Sequence, residues 1–111
     1  MTKPLYQAKA DFFKALGHPA RIRVLELLAE REHSVAEMLP NVGIEPAHLS
    51  QQLALLRRMN LVAARREGSA VFYRLVSPRV ADLLAVVRAI LSDVLANQTE
   101  LLDDLRAAQR A

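Results

Sequence analysis

Polar side chains that could recognise a nucleic acid lie close together in one stretch of the chain, residues 47–52. His48, Ser50 and Gln51 are the most suitable of them. A glutamine can pair with adenine through two hydrogen bonds in the DNA major groove, and hydroxyl or imidazole groups can donate or accept at other base edges. The pattern therefore indicates base recognition, although a merely solvated surface is the alternative for each of these side chains.

Arginines are concentrated just after this stretch. Residues 45–78 carry five arginines and two glutamates, a net charge of +3, whereas residues 1–44 carry +1 and residues 79–111 carry −1. Arg57, Arg65 and Arg66 belong to this basic third of the chain. A local excess of positive charge is a weak indication of nucleic-acid binding, and a solvated surface explains it equally well.

A second candidate site lies in "EHSVAEML", residues 32–39. Ser34 and Glu37 have the spacing of a capping box, which predicts that a helix begins here. His33 between two glutamates leaves a weak metal-binding interpretation open. The chain has no cysteine, so thiolate ligation, disulfides and thiol oxidation are excluded. We predict no metal and no cofactor.

Residue patterns typical of enzymes are absent from the sequence. There is no cysteine nucleophile, no paired-histidine metal motif and no glycine-rich phosphate loop among only three glycines. His48 and Ser50 lie two residues apart, so on a helix they do not face each other. We predict that the chain is not an enzyme.

The elements that must position these residues follow from apolar spacing. Apolar residues at three- and four-residue intervals predict helices over about 4–16 and 46–59, with another helix between them that begins near Pro19. In the helix over 46–59, Leu49, Leu53 and Leu56 would be buried, with His48, Gln51, Gln52 and Arg58 opposite them. We expect "PNVGI", residues 40–44, to form a turn longer than the three residues of a tight helix-turn-helix.

Two further elements follow the candidate recognition stretch. Val62 and Ala64 alternate before Gly68, and Val71, Tyr73 and Leu75 alternate after it, which predicts a β-hairpin over about 62–76 with its tip at 67–69. A helix over about 78–108 then carries a heptad seam, formed by Val80, Leu84, Val87, Leu91, Val94, Gln98, Leu101 and Leu105. Such a wide apolar stripe favours a homodimer, and a helix lying across its own core is the alternative.

The fold class that these elements predict is mainly α with a small β-hairpin, in one domain over residues 1–111. Hydrophobic residues make up 52% and charged residues 24% of the chain, a globular balance. The sequence contains no apolar run long enough to span a membrane and no signal-peptide pattern, so we expect a soluble, cytoplasmic protein.

Three parts of the sequence together resemble the ArsR/SmtB-type winged helix-turn-helix repressors. They are "LGHPARIRVLELL" (16–28), "LSQQLALLRRMNLVAARREGSAVFYRL" (49–75) and the long terminal helix. The resemblance implies a winged helix-turn-helix fold in the order α-α-α-α-β-β-α, with the helix-turn-helix over about 34–59. It also implies a homodimer built from the first and last helices, in which Leu5 and Phe12 join the terminal seam.

The resemblance further implies that the helix over 46–59 enters the DNA major groove and that the hairpin, called the wing, lies beside it. Carried over residue by residue, the resemblance places the DNA contacts at Ala47, His48, Ser50, Gln51, Gln52, Arg65, Arg66 and Ser69. We add the nearby Arg57 to this set of predicted contacts. The sequence departs from the family at the start of that helix, where Glu45 and Pro46 stand in place of a serine or threonine cap.

Effector binding is the other property that the resemblance implies. Metal-sensing members carry a Cys-x-Cys pair where this chain has Ser34 and Ala36, and a second family site uses histidines on the last helix, which has none here. We therefore predict a sequence-specific repressor released from double-stranded operator DNA by an unidentified effector that no thiolate holds. The alternative is a dimeric helical protein-interaction module that kept the fold without specific DNA binding.

Overall fold

The computed structural model describes residues 2–110, which form five helices and three short strands. In chain order they are α1 (Leu5–Leu16), α2 (Pro19–Glu30), β1 (His33–Ser34), α3 (Val35–Val42), α4 (Pro46–Arg58), β2 (Val62–Glu67), β3 (Ala70–Leu75) and α5 (Arg79–Arg110). The predicted helices and hairpin are confirmed, and β1 is an addition.

The junction between α1 and α2 is made by residues that cannot continue one helix and can begin another. Gly17 caps the end of α1, and Pro19 occupies the first position of α2, where its missing N–H costs nothing. His18 is the N-cap of α2, and its Nδ1 accepts a hydrogen bond from the Ala20 backbone N–H at 3.1 Å. His18 therefore helps to hold the turn between α1 and α2.

The prediction of a long turn over residues 40–44, between α3 and α4, is wrong, because α3 continues through Pro40 to Val42. The capping box of Ser34 and Glu37 begins this helix, as predicted. Gly43 ends it in the left-handed conformation, φ +72°, and donates its N–H to the Leu39 carbonyl at 3.0 Å. Only residues 43–45 separate α3 from α4, which is the tight spacing of a helix-turn-helix.

The wing belongs to a three-stranded antiparallel sheet in the order β1-β3-β2. Its hairpin turn lies at Gly68 and Ser69, as predicted, and Gly68 has a positive φ of 61°. Strand β1 pairs His33 with Tyr73 and Ser34 with Phe72. Because β1 runs directly into α3, the sheet joins the wing to the first helix of the helix-turn-helix.

The hydrophobic core lies where α2, α3 and α4 meet under the sheet. Its fully buried side chains are Val24, Leu25, Met38, Leu49, Leu53 and Leu56. Tyr73, on β3, is buried as well. The three buried leucines of α4 fix which side of that helix faces away from the core.

Helix α5 is much longer than the core that it packs against. It has 32 residues, which corresponds to about 48 Å at 1.5 Å per residue. Only its first turns pack on the core, through Val80, Leu83 and Leu84. Beyond them its apolar side chains are exposed in the single chain. Within residues 2–110, none of the helices is long and apolar enough to cross a membrane.

Candidate nucleic-acid interface

The amino-terminal half of α4 presents polar side chains on its outer side. Ala47, His48, Ser50 and Gln51 are all exposed, while Leu49 between them is fully buried. Helix α4 follows α3 after a three-residue turn, so it occupies the place of a recognition helix. Four of the predicted DNA-contacting residues therefore lie together on one exposed surface.

Gln52 does not share that surface, which corrects the expectation that it lies opposite the buried leucines. Its side chain is 8% exposed, and its amide oxygen accepts a hydrogen bond from Arg21 Nη1 at 2.9 Å. Arg21 belongs to α2, and its Nε is buried without a hydrogen-bond partner within residues 2–110. Gln52 thus joins α4 to α2.

A second contact joins the same two helices closer to the start of α4. The rings of His48 and His18 meet edge to face, with their centroids 6.0 Å apart. His18 is held in turn by its cap bond to Ala20. The exposed surface of α4 is therefore oriented from the start of α2 by a histidine contact and by the Arg21–Gln52 hydrogen bond.

The start of α4 lacks a side-chain cap. Glu45 occupies the N-cap position, but its side chain accepts no hydrogen bond from the helix, and Pro46 follows at the first helical position. First-turn N–H groups of such a helix can bind a phosphate, helped by the partial positive charge of the helix end. The Glu45 carboxylate opposes that attraction, which agrees with the departure noted in the sequence.

Arg65, on β2, takes part in a network of charged groups. Its Nε and Nη2 both donate to Glu32 Oε1, at 2.8 and 2.5 Å, and its Nη1 donates to Glu67 Oε2 at 2.7 Å. Its guanidinium also lies over the Phe72 ring, 4.6 Å from the centroid. These hydrogen bonds raise the pKa of Arg65, and the bond from Arg65 lowers the pKa of Glu32.

The other predicted contacts of the basic region are exposed. Arg66 follows Arg65 on β2, Ser69 lies in the hairpin turn, and Arg57 lies in the last turn of α4. Neither Arg57 nor Arg66 forms a salt bridge within the part of the chain that the structure describes. These two guanidinium groups are therefore available to a phosphate.

The start of α3 is held by Glu37. Its carboxylate pairs with Arg31 at 2.9 Å and accepts the Ser34 backbone N–H, and both contacts, the first more strongly, lower the pKa of Glu37. His33 is buried with Nδ1 3.3 Å from Glu37 Oε2, but neither ring nitrogen makes a well-formed hydrogen bond within residues 2–110. No group of three potential metal ligands occurs in the same described range.

The predicted dimer residues belong to α1 and α5. Leu5 is exposed on α1, and the α5 residues Val87, Leu91, Val94, Leu101 and Leu105 are exposed as well. Phe12 and Leu84 are half-buried. An open groove of roughly 1000 Å³ runs between the end of α1, α2 and α5, and its lining includes Leu84, Val87 and Leu91.

Comparison with known proteins agrees with this geometry. The family model described as "Bacterial regulatory protein, arsR family" matches residues 18–64. The protein described as "Uncharacterized HTH-type transcriptional regulator Rv0081" of Mycobacterium tuberculosis is 54% identical over 111 residues, which are 99% of this chain and 97% of that protein. The chain belongs to the ArsR family. The family match spans α2, α3, α4 and the start of the wing, the elements that carry the candidate contacts.

Another relative and two solved structures are also similar to this chain. The biofilm growth-associated repressor of Agrobacterium fabrum is 41% identical over 73% of this chain and 69% of that protein. The crystal structure of M. tuberculosis Rv0081 matches with a TM-score of 0.81 over 88% of this chain and 99% of that chain. A homodimeric winged helix-turn-helix DNA-binding domain of Mycobacterium bovis, solved in solution, matches at 33% identity with a TM-score of 0.73 over 84% and 86% of the two chains.

Proposed function

We propose that this ArsR-family protein is a homodimeric transcriptional repressor that binds a specific operator in double-stranded DNA. The observation that carries the proposal is the exposed surface of α4 formed by Ala47, His48, Ser50 and Gln51, which a three-residue turn joins to α3. Relatives named as transcriptional regulators and a repressor support it.

The proposed contacts divide into two kinds. On α4, His48, Ser50 and Gln51 reach base edges in the major groove, where a glutamine amide pairs with adenine through two hydrogen bonds. Arg57 and Arg66 neutralise phosphates, with Ser69 at the wing tip beside them. Phosphate contacts set the position of the protein on the duplex, and base contacts select the sequence.

A second copy of the chain completes the proposed DNA-binding unit. The exposed leucines of α5, and Leu5 of α1, are large apolar side chains that one chain leaves in contact with water. The homodimeric neighbour from M. bovis supports a dimer of this kind. Two recognition helices in a two-fold dimer would read two half-sites of a palindromic operator about one helical turn apart.

Release from the operator by an effector is part of the proposal. The chain has no cysteine, so a thiolate-bound metal cannot be that effector. The groove beside α5 is one place that an organic effector could occupy in the dimer, but none of its lining residues identifies a ligand.

A gel shift with DNA from upstream of the protein's own gene tests the proposal. A Ser50→Ala, Gln51→Ala double variant should lose specific binding while remaining dimeric, because each base contact that it removes is worth about 1–3 kcal/mol. Gln109→Ala, an exposed glutamine near the end of α5, is the matched control and should bind as the unaltered protein does. Unchanged operator affinity in the double variant would contradict the assignment of α4.

One observation favours a second candidate, a dimeric protein-interaction module. The Glu45 carboxylate lies at the start of α4, where it opposes a nearby phosphate. A module of this kind would form the dimer but give no gel shift at low salt, the condition under which phosphate contacts are strongest. The same gel shift therefore separates the two candidates.

A further inference from the structure

Arg65 and Arg66 are adjacent on β2 but have different surroundings. Successive side chains of a strand point to opposite faces of the sheet, so the two guanidinium groups leave β2 in opposite directions. The register pairs Arg65 with Phe72 and Phe72 with Ser34, so the side chain of Arg65 lies on the face of Phe72. Arg66 pairs with Val71 on the other face.

From that position the Arg65 side chain crosses the middle strand. It passes over the Phe72 ring of β3 and reaches Glu32, the residue immediately before β1. A guanidinium has five N–H donors, of which three are used here, two by Glu32 and one by Glu67. Two carboxylates pair with this one guanidinium, so the charge of Arg65 is balanced within the protein and is less available to a phosphate than that of an unpaired arginine.

We propose that Arg65 is a positioning residue that clamps the wing to the helix-turn-helix, and that it is not one of the phosphate contacts. The Arg65 clamp comprises Arg65, Glu32, Glu67 and Phe72. It connects the outer strand β2 to the segment that leads through β1 into the capped start of α3. The clamp thereby sets the angle between the wing and α4, while Arg66 supplies the phosphate contact of β2. The role that this inference gives to the clamp rests on the proposed DNA binding, whereas the contacts that form the clamp do not depend on it.

Salt dependence separates a clamp from a phosphate contact. Arg66→Ala should reduce the slope of log affinity against log salt concentration by about 0.9 for each phosphate that is no longer neutralised, roughly two phosphates in a dimer. Arg65→Ala should weaken operator binding by about tenfold, because the ion pairs and the ring contact are removed, and should leave that slope unchanged. A flattened slope in Arg65→Ala would overturn the proposal.

Glu32→Gln gives the sharpest contrast, because the clamp and a purely charge-based interpretation predict opposite changes in operator affinity. Removing a negative charge beside DNA would strengthen binding if charge alone mattered. A broken clamp should instead weaken operator binding by about twofold to fivefold, the range expected for an exposed ion pair. Glu30→Gln, which removes a carboxylate from the exposed end of α2, is the matched control and should bind the operator as the unaltered protein does. Tighter operator binding by Glu32→Gln would overturn the clamp.

Amide hydrogen exchange in the absence of DNA keeps the two proposals distinguishable. Arg65→Ala and Glu32→Gln should accelerate exchange in the wing, residues 66–71, whereas Arg66→Ala should leave it unchanged. Equal exchange in all three variants would overturn the clamp even if the unaltered protein binds its operator. Faster exchange confined to Arg65→Ala and Glu32→Gln would support the clamp even if the protein bound no operator. The absence of operator binding would then count only against the proposed function.

Discussion

Gln51 and Gln52 are adjacent in α4 but have opposite environments. Gln51 is exposed among the candidate base contacts, whereas Gln52 is buried and accepts a hydrogen bond from Arg21. The sequence predicted which leucines of α4 are buried, because their spacing is regular. It could not separate the two glutamines, because the partner of Gln52 lies 31 residues earlier in the chain.

We expect Gln52→Ala to lower the free energy of unfolding by about 1–3 kcal/mol, because it leaves the partly buried Arg21 guanidinium without its partner. Gln51→Ala is the matched control and should leave the stability unchanged, since its side chain is in water. Urea denaturation of the two variants measures this difference. If both variants were equally stable, the Arg21–Gln52 bond would not hold α4 in place.

At the scale of elements, α3 shows both what local patterns predict and what they miss. Its beginning was predictable, because the capping box is a local pattern of two residues three positions apart. Its end was not, because Pro40 and Asn41 resemble a turn and yet lie inside the helix, which Gly43 ends. Strand β1 was also missed, since two residues are too few to show alternation and their partners lie on β3.

The start of α3 should depend on pH through Glu37. Arg31 and the Ser34 N–H lower the folded-state pKa of Glu37 below its ordinary value of 4.5. As the pH falls below about 4.5, the Glu37 carboxylate is protonated in the unfolded chain before it is protonated in the folded one. The stabilisation that Glu37 provides therefore decreases, and it is absent once the pH lies below the folded-state pKa.

We therefore expect Glu37→Gln to lose less stability than the unaltered protein when the pH is lowered from neutral to below 4.5. Glu30→Gln is the control, because Glu30 is exposed and forms no salt bridge within residues 2–110. Urea denaturation at a series of pH values measures the effect. Equal acid sensitivity of Glu37→Gln and the unaltered protein would contradict it.

At the scale of the whole molecule, the chain has more apolar surface than its own core can cover. The heptad seam of α5 was visible in the sequence, and most of its apolar positions beyond the core are exposed: Leu91 and Leu105, for example, are each 56% exposed. The position of the groove beside α5 was not predictable, because it depends on how α1 and α2 pack against that helix.

We expect Leu91→Glu to convert the dimer to a monomer, because a carboxylate buried at the centre of the seam would have no partner of opposite charge. Ala89→Glu adds the same charge on another side of α5 and should leave the dimer intact. Equilibrium sedimentation distinguishes the mass of one chain from that of two. A Leu91→Glu protein that remains dimeric would show that this seam is not the interface.

We propose above all that a dimer of this chain reads a specific DNA sequence with α4. Nuclease footprinting of the purified protein on DNA from upstream of its own gene tests it most directly. We predict one protected site made of two half-sites whose centres are about 10–10.5 base pairs apart, or a multiple of that distance. The Ser50→Ala, Gln51→Ala variant should not protect it. A folded, dimeric protein that protects no site at low salt would contradict the account.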